Sequence, residues 1–219
     1  MPAPGTSTLQ QAIDTAYSVL NDAGGVRYTE DELLTFGNDA IKYIAIARPE
    51  LFHVVADVPT VSNQTLQQIP ADGLALVDII GVTGGNSTRR VKTREAFDAI
   101  LQSWPQQAPA PAQNWFQLDS DPVRFMIYPP SPPGQQMTLV YVQAPGEYGI
   151  NEDLPIPSTY IPIVADYIIG MSQMRDDEHV SSGRAQAFLQ QFFTLLGLSK
   201  QAQDLSNVPA AGKDPGEKK

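Results

Sequence analysis

The chain contains no cysteine and only two histidines, His53 and His179. Without thiols there is no disulfide framework, no thiolate metal site and no cysteine nucleophile. That composition fits a reducing compartment. No apolar run approaches the roughly 18 consecutive residues of a membrane span, so no membrane partner is expected. The opening Met1-Pro2-Ala3-Pro4-Gly5 has neither a basic region nor an apolar stretch, and no secretory signal is read there. Positive charge is scarce as well. Fourteen Lys and Arg stand against 24 Asp and Glu, for a net charge of −10 and a pI near 4.5. Such a surface repels phosphate backbones, which argues against tight nucleic-acid binding through a basic face.

What the chain does have is a change of period at two places. Its 219 residues, 42% apolar, suffice for one domain or for a small domain carrying an insertion. Residues 9–48 and 156–198 carry helical spacing, and the stretch between them carries strand alternation and most of the 19 prolines. Leu9, Ala12, Ile13, Ala16, Tyr17 and Leu20 form one apolar stripe. Thr6-Ser7-Thr8 supplies hydroxyl caps before it, and Gly24-Gly25 is expected to end it. Thr29-Glu30-Asp31-Glu32 reads as a capping box opening a second helix. Leu33, Phe36, Ala40, Ile41 and Ile44 form its buried face, and Arg48-Pro49 closes it. A third helix is expected from about Ser158, with Ile161, Val164, Ala165, Ile168 and Met171 at helical spacing and Pro162 in its first turn. After a polar break at 176–183, Ala185, Phe188, Leu189, Phe192 and Leu196 mark a fourth.

In the middle, strands are predicted over 53–61, 64–69, 74–82, 115–118, 124–128 and 137–143. A short helix is predicted over 93–101. Pro70-Ala71-Asp72-Gly73 and Gly84-Gly85-Asn86 are turn signals. The strands flanking the Pro-rich stretch 129–134 suggest a hairpin. The expected fold is therefore α+β: an antiparallel bundle from residues 1–51 and 156–198, an inserted β-rich domain over 52–155, and an extended, flexible tail over 199–219. Isolated helices of this length are marginal in water, which is why the two ends are paired. The polar tail cannot bury enough surface to fold alone.

Candidate chemistry is thin. Asp176-Asp177-Glu178-His179 resembles metal ligands, but two groups at i, i+3 do not close a site, and a solvated helix end is the plainer reading. No metal and no cofactor is expected. His53 begins a strand and has no partner that would make it a base. Glu30, Asp31 and Glu32 are accounted for by the capping box. Gly81-Val82-Thr83-Gly84-Gly85 lacks the Lys-Ser/Thr of a phosphate loop. Ser7, Ser158 and Ser199 lack a nucleophile-elbow context. Trp104 and Trp115 read as core staples. Arg89, Arg90, Lys92 and Arg94 are the one basic concentration. They form either a solvated rim or salt-bridged face, or a contact for an acidic neighbour, another copy of the chain included.

Several ordered stretches carry a family resemblance. They begin with Tyr28-Thr29-Glu30-Asp31-Glu32-Leu33-Leu34, Asn38-Asp39-Ala40 and Arg48-Pro49-Glu50. Leu66-Gln67-Gln68-Ile69-Pro70-Ala71-Asp72-Gly73 follows, then Leu76-Val77-Asp78-Ile79, Asp121-Pro122-Val123-Arg124-Phe125, Tyr128-Pro129-Pro130, Leu139-Val140-Tyr141 and Ala144-Pro145. Tyr160, Asp166-Tyr167 and Ser182-Gly183-Arg184-Ala185 close the series. Over residues 28–198 the chain resembles the head-to-tail adaptor (connector) proteins of tailed bacteriophages. The Pro/Ala-rich loop after Trp104 lies outside the match.

The resemblance implies a virion protein made in the bacterial cytoplasm, with no catalysis. It implies copies arranged as a ring, a dodecamer, beneath the portal protein, extending the channel for viral DNA and docking tail or nozzle proteins. A C-terminal extension reaching onto the portal is also implied, with Lys200, Leu205, Val208 and Lys213 as its candidate contacts. An acidic lumen would let DNA slide without sequence-specific binding. Two other readings stay open. One is a β-rich tail or receptor-contact binding module, and the other is a cell-wall glycan hydrolase using Glu147 and Asp153.

Overall fold

The computed structural model describes residues 7–83, 85–101, 108–118, 120–175 and 182–197. Among them are five α-helices and two β-sheets, a mixed α+β fold. Two compact units emerge, one within Met1–Leu51 and Pro145–Lys219, the other within Phe52–Ala144. No helix among the described residues is long and apolar enough to cross a membrane.

The first unit contains α1 (Leu9–Leu20), α2 (Glu30–Ala47), α4 (Ile161–Arg175) and α5 (Ser182–Leu195). Expected caps and observed caps differ at α1. Thr8 occupies the N-cap without a side-chain bond. The neighbouring Ser7 hydroxyl donates instead to the Ile156 carbonyl at 2.6 Å. At the other end Asn21 takes the left-handed conformation, φ 54°, and stops the helix before Gly24-Gly25. Asparagine tolerates that region better than other side chains bar glycine. The turn that follows is organised by Asp22, whose carboxylate accepts from the N–H groups of Val26, Arg27 and Tyr28 at 2.9–3.0 Å. At α2 the capping box forms as expected from Thr29 and Glu32. The Glu32 carboxylate also pairs with Arg175.

Helix α4 departs from the expected single stripe. Tyr167, Ile169, Gly170 and Ser172 are buried together with Ile161, Val164, Ala165 and Ile168. A helix with apolar residues over most of its surface must be largely enclosed, and α4, whose polar strip is Asp166 and Gln173, packs against α1, α2 and α5. Two glycines permit the close approaches. A Cβ on Gly37 of α2 would sit 2.9 Å from Leu9 Cδ2 of α1, and one on Gly170 would sit 2.7 Å from Leu189 Cγ of α5. The stretch 145–157 is stitched to the helices by polar bonds. Buried Asn38 donates to Tyr148 O at 3.1 Å and accepts from Tyr148 N at 2.8 Å. Gln10 N donates to Ile150 O, and Leu154 N donates to Ser7 O.

The second unit holds seven strands and α3 (Arg94–Leu101). Strands β1 (His53–Pro59), β7 (Gln136–Gln143) and β3 (Gly73–Val82) form one antiparallel sheet in that order. Strands β2 (Leu66–Gln68), β6 (Arg124–Tyr128), β5 (Asn114–Gln117) and β4 (Arg89–Arg90) form the other. The hairpin expected across 129–134 is absent: β6 and β7 lie in different sheets. Pro129, Pro130, Pro132 and Pro133 lack the N–H groups a ladder needs, so the chain changes sheet there. Leu76, Ile79, Met137, Leu139 and Tyr141 of the first sheet pack with Trp115, Phe125 and Ile127 of the second. The opposite face of the second sheet is covered by α3, where Phe97 stacks on Phe116 at 5.5 Å.

Two outcomes follow from these contacts. Gly170→Ala should destabilise the fold by about 1–3 kcal/mol through overpacking, whereas Gly183→Ala, which meets nothing within 4 Å, should not. Chemical denaturation of the two variants measures the contrast. The Asp22 carboxyl is held below its ordinary range, first by the Tyr28 N–H and then by those of Arg27 and Val26. Its contribution to the turn is therefore complete above its unfolded value and lost as pH falls through the lower folded one. Amide titration of residues 26–28 by NMR should show a midpoint below about 3.9, the ordinary aspartate value. A midpoint at that value would contradict the assignment.

Candidate interaction surface

The basic strip is placed by the way the chain leaves one sheet and joins the other. Gly81 bridges Ser87, and a Cβ on Gly81 would lie 2.7 Å from Asn86 O. Thr88 then donates its hydroxyl to Ile79 O at 3.1 Å. One residue later the backbone has moved to β5, where Arg89 N donates to Gln113 O and Val91 N to Trp115 O, both at 2.8 Å. Strand β4 is thus a two-residue edge strand, parallel to β5. Gly81 serves this tight crossing, where a side chain would not fit.

Arg89 and Arg90 are exposed and line an open groove of about 900 Å³ with Asp78, Thr88, Gln113 and Asn114. The Arg90 guanidinium lies 4.9 Å from the centroid of the buried Trp115 ring, a cation–π stack that fixes its plane. Arg90 also borders a second, separate concavity of about 220 Å³ with Val91, Lys92 and Gln117. Arg94 differs from the other three. It opens α3 and pairs with Asp98 at 3.1 Å. Among the described residues, Arg89, Arg90 and Lys92 have no carboxylate within ion-pair distance. Arg94 is thus salt-bridged, whereas Arg89, Arg90 and Lys92 are exposed, which fits a solvated rim as well as a contact for an acidic neighbour.

The other candidates scatter. Lys200, Leu205, Val208 and Lys213 lie outside the described residues, as do Trp104 and the cluster Asp176 to His179. Exposed His53 begins β1. Glu147 pairs with Lys42 at 2.8 Å, which ties it up in a surface ion pair and raises the lysine's pKa, with Asp39 adding to the effect. Asp153 is exposed. Among the described residues no three His, Cys, Asp or Glu side chains gather as metal ligands.

The sequence reading missed Asp78, Gln113 and Asn114. Gln113 and Asn114 reach the groove through the parallel β4–β5 pairing, and Asp78 through the crossing from β3 at residues 79–88, contacts that leave no local pattern. It also missed a hydrophobic spot on the helical unit. Ile46 of α2 is 71% exposed beside Tyr43 and Tyr167, which border a hollow of about 360 Å³. There Tyr43 packs edge-on against Phe193 of α5 at 5.4 Å.

A family model described as SU10 adaptor protein matches residues 7–213, across both units. No curated protein matches the chain.

Arg90→Ala should uncover Trp115. In a Trp104→Phe background, which leaves one indole, its emission should shift to the red, and stability should fall by about 0.5–1 kcal/mol. Unchanged emission would show that the guanidinium does not shield the ring.

Proposed function

The chain belongs to the SU10 adaptor protein family, the head-to-tail adaptors of tailed bacteriophages, and from that premise we propose how it joins head to tail. Membership makes it a structural virion component acting with portal or tail components. In the proposed assembly, copies form a ring, a dodecamer, beneath the portal. The helical unit supplies an antiparallel bundle that packs side by side with its neighbours. The β-rich unit faces the tail or nozzle proteins, and residues 199–219 reach onto the portal through Lys200, Leu205, Val208 and Lys213. The observation that carries the proposal is a family match running through both units and into the tail.

Physical features of the chain support its parts. Ile46, exposed beside an aromatic cluster, is the kind of apolar side chain that a neighbouring helix covers. The net charge of −10 suits a channel through which DNA must move without being held, because basic lumen residues would trap phosphates. No catalytic step is assigned. Glu147, one of the two carboxylates of the glycan-hydrolase reading, forms a surface ion pair with Lys42.

Deleting residues 199–219 should abolish binding to the portal ring of the same phage while leaving the far-UV spectrum and melting transition of the protein in place. Co-sedimentation with the purified portal reads this out. Undiminished portal binding by the truncated protein would remove the tail from the docking role and favour the binding-module alternative.

A further inference from the structure

The exposed basic strip stands out by its charge. Three cationic side chains, Arg89, Arg90 and Lys92, fall within four residues at the edge of a sheet, and none has a carboxylate partner among the described residues. They sit in a protein with ten more acids than bases. The guanidinium of Arg90 is held by the Trp115 ring, so less conformational freedom is lost when it binds a planar anion. Gln113 and Asn114 add amide groups along the same wall, where the Asp78 carboxylate also lies with its Oδ1 accepting from the Ile79 N–H. The planar fork of each guanidinium matches a carboxylate in bidentate geometry. A phosphate backbone is disfavoured because the rest of the surface repels it.

The same chain offers a complementary element. Glu30 and Asp31 stand side by side in the first turn of α2, exposed, and neither has an ion-pair partner among the described residues. Their neighbour Glu32 is already committed to Thr29 N and Arg175. We infer that the Arg89–Arg90–Lys92 groove of one copy receives the Glu30-Asp31 carboxylates of a second copy, making this an electrostatic contact between adjacent subunits. The inference rests on the proposed ring and adds its charged interface. A contact of this kind is exposed and screened by salt. It therefore fixes the register between neighbours and contributes little to affinity alone.

Zero-length carbodiimide cross-linking tests it directly, because it joins an amine to a carboxylate only in contact. The full-length protein is prepared with natural and with heavy nitrogen, mixed in equal amounts, and cross-linked both alone at high concentration and on portal rings. Peptides linking Lys92 to Glu30 or Asp31 should appear with one light and one heavy partner, and they should fall at least tenfold in R89E/R90E. Mixing that variant with E30K/D31K should restore links between copies, now joining the introduced lysines to the introduced glutamates. Melting curves for both variants establish that they fold.

Links only within copies of one isotope would place the contact inside a chain and overturn the inference. So would rings that form on the portal with no such link, or whose formation is unaffected by either charge reversal; the adaptor role would then stand. If no ring forms on the portal with the unaltered protein, the ring itself fails, and this contact with it. A duplex oligonucleotide held by the unaltered protein and released by R89E/R90E would assign the groove to nucleic acid instead.

Discussion

Helix α4 shapes the helical unit. It buries residues over most of its circumference, leaving a strip through Pro162, Asp166 and Gln173 less covered, and each large apolar side chain so placed contributes about 1.5–3 kcal/mol only if other elements cover it. The cover comes from both ends of the chain, α1 and α2 before the β-rich unit and α5 after it. The chain must therefore return after residue 144 to complete a core that it began near residue 9. Gly37 and Gly170 are the two points at which this enclosure leaves no room for a Cβ. The bonds from Ser7, Gln10 and Asn38 to residues 148–156 fasten the returning segment where its backbone would otherwise be buried unpaired.

Within the β-rich unit, a comparable constraint puts the basic strip on display. The two sheets share one apolar core, and the chain crosses between their edges at residues 87–89. A crossing strand only two residues long pairs on one side only. Both of its side chains are left exposed, and both are arginines. In an acidic protein, cations concentrated without ion-pair partners add little to stability, and the proposed contact between copies would give them a use.

Much of this was legible in the sequence because it is local. The capping box at Thr29 to Glu32, the stripes of α1 and α2 and strand 124–128 follow from spacing and turn chemistry that act over a few residues. Three expectations failed, each for its own physical reason. Asn21 stopped α1 before the glycines because the left-handed cap was taken by the first residue able to adopt it. The Pro-rich stretch 129–134 was read as a hairpin because its flanking strands look alike, whereas sheet membership is decided by partners far away. Helix α4 was read as one-sided because its extra buried positions, Tyr167, Gly170 and Ser172, are not distinctively apolar. For the groove, the arginines were visible as a charge cluster. Asp78, Gln113 and Asn114 were not, since only the tertiary pairing brings them beside it.

The most direct test of the adaptor assembly is electron microscopy of the protein mixed with the portal ring of its own phage. The expected result is one additional coaxial ring of density on a single face of the portal, continuing its channel. Portal particles with no added layer, or with isolated copies bound at the periphery, would contradict a ring-forming adaptor.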